Sequence, residues 1–97
     1  MLTSKQRANL RSLAQKIQSV TQVGKGGINE GLIESLDAAI EKRQLIKVTV
    51  LENSGMEVKE VGEKIATALR AEFVCATGRK IVFYRESADE KVEKLIF

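Results

Sequence analysis

Ninety-seven residues, 43% hydrophobic and 30% charged with a net charge of +3, describe one small globular domain with a single core. That composition excludes a disordered chain, no apolar run reaches the roughly 18 to 20 residues of a membrane span, and the lone Cys75 excludes an internal disulfide. The absence of histidine removes the commonest general base and the commonest metal ligand, so neither an enzyme nor a metal or cofactor site is expected.

The first element in chain order is a helix over "TSKQRANLRSLAQKI". Thr3 and Gln6 fit a capping box, and Leu10, Leu13, Ala14 and Ile17 repeat as one apolar stripe. Arg7 and Arg11 flank that stripe, and Lys5 and Lys16 lie on the far side. "SVTQV" reads as a short strand, and the glycine-rich "GKGG" follows.

A second helix is predicted over "NEGLIESLDAAIEKRQ", with Asn29 as N-cap and Lys42 and Arg43 in its last turn. "LIKVTVL" alternates as a strand with Ile46, Val48 and Val50 on one face, and "ENSG" is a turn. "MEVKEVGEKIATALRAE" is a third helix whose interior Gly62 costs up to about 1 kcal/mol unless close packing requires it. "FVCA", "TGRK" and "IVFYR" read as a hairpin with Gly78 in the turn. The order α-β-α-β-α-β-β predicts an α/β fold, with a four-stranded mixed sheet and helices packed on it. The division expected is a domain over residues 1–86 and a tail over 87–97. In that tail Ser87 and Glu90 either cap a short helix, or Leu95, Ile96 and Phe97 dock on the body.

Charge is unevenly placed. Residues 1–29 carry +5 and no acid, residues 30–77 carry −3, residues 78–85 carry +3 and no acid, and residues 86–97 carry −2. Two acid-free basic segments brought together would form a surface suited to a polyanion. The N-terminal segment has no apolar signal region, which favours the cytoplasm.

The glycine stretch stands between a strand end and a helix start, where backbone N–H groups and the helix dipole both favour anions. It supplies neither the Walker pattern nor the dinucleotide fingerprint, which would need glycine at Asn29. It does fit G-x-x-G, the pattern that clamps backbone nucleotides in KH domains, although a plain turn fits those four residues too.

Taken together, "LTSKQRANLRSLA", "VGKGGINEGLIESLDAAIEKRQLIKV" and "ATGRKIVFYR" resemble the YhbY-like family, the stand-alone bacterial form of the CRM domain. The resemblance spans residues 2 to 85. It implies a fold similar to the C-terminal domain of translation initiation factor three, RNA binding without catalysis, and association with precursors of the large ribosomal subunit. Carried over by position, its RNA-binding residues are Lys5, Arg7, Arg11, Lys16, Gly24, Lys25, Gly26, Gly27, Gly78, Arg79, Lys80 and Arg85. The partners expected are ribosomal RNA and pre-ribosomal particles, with no membrane and no small-molecule substrate, and with the protein itself a monomer. Phe73 and Phe83 are expected in the core, leaving Tyr84 as the better base-stacking candidate. The alternative is a protein-interaction module using Glu30, Glu34, Asp37 and Glu41 on the second helix.

Overall fold

The computed structural model describes residues 2–97. Helix α1 (Ser4–Ala14) opens with the predicted capping box: Thr3 Oγ1 accepts from Gln6 N at 3.1 Å and Gln6 Oε1 accepts from Thr3 N at 3.0 Å. It ends earlier than the apolar stripe suggests. The amides of Gln15, Lys16 and Ile17 bond three residues back rather than four, tightening the last turn out of α geometry. Ile17 nevertheless still packs against the same cluster as Leu10 and Ala14.

Strand β1 (Thr21–Val23) leads to helix α2 (Glu30–Arg43), capped by Asn29 Oδ1 accepting from Leu32 N at 2.9 Å. Strand β2 (Leu45–Val50), a single 3₁₀ turn (Glu52–Ser54) and helix α3 (Val58–Leu69) follow. Strands β3 (Glu72–Thr77) and β4 (Lys80–Tyr84) close the fold as an antiparallel hairpin. Its two-residue turn has Gly78 at φ +60°, the left-handed value that glycine takes without strain.

The sheet order is β1-β2-β4-β3. β1 and β2 are parallel through α2, and β4 lies antiparallel between β2 and β3. The second crossover, through α3, therefore joins strands that run in the same direction without touching.

Strand alternation splits the core in two. On one face Ile46, Val48, Val50, Ile81 and Phe83 meet Leu36 and Ile40 of α2 and Val61, Ile65 and Leu69 of α3. On the other, Leu45, Val74 and Val82 meet Leu10 and Ala14 of α1. The register shift between Phe73 and Cys75 puts two consecutive residues, Val74 and Cys75, on the α1 side of β3, while Phe73 faces α3.

The tail forms no helix: Ser87 Oγ accepts from Asp89 N two residues on, an arrangement that makes a turn. It docks instead. Leu95 and Phe97 pack into the α1 cluster, while Ile96 is 95% exposed. Gln44 anchors it: the residue is 1% exposed, accepts from Ser87 N at 3.0 Å and donates through Nε2 to Glu93 O at 2.8 Å. Among the described residues no helix is long and apolar enough to cross a membrane.

Candidate nucleic-acid interface

The glycine stretch is a tight turn in which Gly24 O accepts from Gly27 N at 2.9 Å, leaving Lys25 and Gly26 exposed at its tip. Gly27 has φ +62°. The turn leads directly into Asn29 and the first turn of α2. By helix geometry the amides of Glu30 and Gly31 have no partner within the helix, while that of Leu32 is taken by Asn29 Oδ1. Glu30 sits in that same first turn, so the charge is mixed and Lys25 offsets it.

This loop and the hairpin turn lie at the same end of the sheet. Leu51 N donates to Val23 O at 2.8 Å, next to Gly24, and Arg79 reaches the same segment through Nη2 to Leu51 O at 3.0 Å. Gly24, Lys25, Gly26, Gly27, Gly78, Arg79 and Lys80 thus cluster around the C-terminal ends of β1, β2 and β3, where α/β sheets commonly place ligand sites.

The first basic segment meets the second across the α1 face. Arg11 from α1 and Lys80 from β4 line one cavity, joined by Lys47 from β2. Lys5 is exposed on α1, and Lys16 lies just beyond it, beside Leu13, Ile17, Leu45 and Leu95. Of the two basic segments, Arg11 and Lys80 thus meet on the α1 side of the sheet, whereas Arg85 turns to the α2 acids Asp37 and Glu41.

Three of the sequence-predicted arginines are held by the protein itself. Arg7 Nη1 donates to Phe73 O and, at 3.2 Å, to Val74 O, satisfying carbonyls beside the β3 irregularity, and its Nη2 lies 3.9 Å from Glu72. Arg79 donates through Nε to Val50 O at 2.6 Å as well as to Leu51 O. Arg85 pairs with Asp37 at 2.7 Å, approaches Glu41 at 3.5 Å and donates to Leu69 O at 2.8 Å. It stands at the end of the sheet away from the glycine loop, where Arg85 N bonds to Gln44 O just before β2.

Lys47 was not singled out from the sequence, although the signal was there. It is the lone cation of "LIKVTV", on the alternate face from Ile46, Val48 and Val50. Its Nζ donates to Ile17 O at 3.0 Å, which tethers it below α1. Tyr84 is half-buried, with Phe97 lying edge-on against it at 4.9 Å and 69°. Burial pushes the Tyr84 hydroxyl pKa up, and Glu86 adds to the shift. Burial likewise pushes the Cys75 thiol up, opposed by the nearby charges of Arg11, Lys47 and Arg7.

Known proteins share this sequence and arrangement. The chain is 42% identical over 91 residues to the probable RNA-binding protein YqeI of Bacillus subtilis, covering 94% of this chain and 95% of that protein. It is 30% identical over 93 residues to an RNA-binding protein of Haemophilus influenzae, covering 95% and 93% of the two chains. The solution structure of SAV1595 from Staphylococcus aureus superposes with a TM-score of 0.75 at 44% identity, across 98% of this chain and 100% of that one. With the CRS1 / YhbY (CRM) domain pattern matching residues 2–85, nearly the whole of the folded body, the chain belongs to the CRS1/YhbY (CRM) domain family.

Proposed function

We propose that this protein binds RNA without catalysing a reaction on it, and that its ligand is ribosomal RNA in precursors of the large ribosomal subunit. The observation that carries the reading is the Gly24–Gly27 turn, which presents Lys25 and Gly26 in front of the α2 N-terminus, beside the hairpin cations. Such a turn lets a phosphate approach the backbone closely, with Lys25 as a mobile counter-charge. RNA is the polyanion favoured by the names of the relatives in Bacillus and Haemophilus. The choice of ribosomal RNA rests on the family resemblance. The scarcity of aromatics, with Tyr84 half-buried against Phe97, favours recognition of shape and backbone over base stacking.

The geometry gives the protein-interaction alternative less support. Of the four acids on the α2 face, Asp37 and Glu41 are engaged by Arg85, and Glu41 also accepts from Ala88 N of the tail. Co-sedimentation of the protein with large-subunit precursor particles tests the proposal. Association abolished by RNase is the expected result, and RNase-resistant association or none would count against it.

A further inference from the structure

Below Arg11 and Ala14, α1 leaves part of the sheet uncovered, and a cavity of about 190 Å³ opens there. Its apolar lining is Ala14, Cys75 and Val82, and three cations, Arg11, Lys47 and Lys80, surround it. No carboxylate lines it, and among the described residues none of the three makes an ion pair. Lys47 is held in place by its bond to Ile17 O, which leaves two of its three ammonium protons for a ligand. Three cations around one hollow, with no acid among them, make a local positive field that attracts an anion.

We propose that this cavity receives one unpaired nucleotide of the bound RNA, its phosphate among Arg11, Lys47 and Lys80 and its base or ribose against Ala14, Cys75 and Val82. The proposal rests on the RNA-binding reading above and extends that contact from the strand ends, through Lys80, onto the α1 face. At roughly 30 Å³ per molecule of liquid water, about six waters fill the cavity, room for one base or ribose but short of the roughly 300 Å³ at which pockets for drug-sized ligands begin, so only that part of the nucleotide enters and its phosphate stays at the cationic rim. A base stacked in a duplex is not free to enter, whereas a bulged or loop nucleotide, already unstacked, is.

Cys75, the only thiol in the chain, reports on occupancy without any mutation. The experiment measures its alkylation by iodoacetamide with two RNA probes, a two-stranded duplex carrying one bulged adenosine and the same duplex fully paired. Each is added at about ten times its dissociation constant, measured beforehand. The bulged duplex should slow alkylation about tenfold, since the free protein is then about one part in eleven, while the paired duplex leaves the rate unchanged. If both duplexes bind and Cys75 reacts at its free rate, or both protect it equally, the pocket assignment falls and RNA binding stands. If neither binds, the RNA-binding reading itself fails, and the pocket with it.

Discussion

The Phe73 ring lies against the backbone of Gly62 so closely that a Cβ at position 62 would fall 2.2 Å from Phe73 Cε2. This contact sets how near α3 approaches β3, and it accounts for a glycine inside a helix. In an exposed helix, Gly62→Ala would gain about 1 kcal/mol. Here it forces Phe73 off its edge-on packing with the buried Phe83, 6.1 Å away. Overpacking of this kind costs about 1 to 3 kcal/mol and outweighs the propensity gain. Gly62→Ala should therefore lower the melting temperature by several degrees, and adding Phe73→Leu should restore part of it. A Gly62→Ala protein as stable as wild type would refute the contact.

Gly26 presents the opposite case. Its φ is not in the left-handed region, and a Cβ there would meet only Asn29 Nδ2, at an ordinary 3.7 Å. Folding does not require glycine at this position, but close approach of a phosphate would. Gly26→Ala should leave the melt unchanged and weaken RNA binding about tenfold, or ~1.4 kcal/mol. Lys25→Glu should weaken it further and make the slope of log affinity against log salt shallower by about 0.7 to 0.9, one phosphate contact. Fluorescence anisotropy across a salt series measures both. Wild-type affinity in either folded variant would remove the loop from the interface.

The elements were legible because local rules and tertiary packing agree. Thr3 and Gln6 cap as their spacing predicts, Asn29 caps α2, and the alternation of Ile46, Val48 and Val50 marks one face of β2. The site was less legible for a physical reason. A charge count treats every arginine alike, whereas the fold sets carbonyls before Arg7 and Arg79 and carboxylates before Arg85. Which cation meets which acceptor depends on contacts between residues as far apart as 7 and 74, and no local pattern encodes those. Gln44 illustrates the same limit: nothing in "EKRQLIK" says that this amide is buried and ties down a tail some forty residues later.

That difference among the cations separates stability from binding. Arg79 makes two charge-assisted hydrogen bonds to Val50 O and Leu51 O, a type of bond worth about 1.5 to 3 kcal/mol. Arg79→Ala should lower the urea midpoint by an amount equivalent to about 1 to 3 kcal/mol, since water replaces part of the loss. Lys80 is exposed, and Lys80→Ala should leave the urea midpoint unchanged while reducing RNA affinity and the salt slope. The reverse pattern, with Arg79 dispensable to the fold and Lys80 essential to it, would contradict the assignment.

The docked tail leads us to expect that residues 87–97 add to the stability of the domain. Phe97 packs against Tyr84, Leu95 joins the cluster around Leu45, and Ser87 is 3% exposed over the buried Gln44 side chain. Fully buried Phe→Ala changes cost about 3 to 5 kcal/mol. Phe97 is half-buried, so Phe97→Ala should cost about 1 to 3 kcal/mol, including its edge-on contact with Tyr84. Removing residues 87–97 should lower stability more, because it exposes Leu45 and Tyr84 and strips Gln44 of both bonds to the tail. Thermal melts of full-length protein, the Phe97→Ala variant and the 1–86 fragment should fall in that order. A 1–86 fragment that melts with the full-length protein would place the boundary at residue 86 after all, and reduce the tail to a passive appendage.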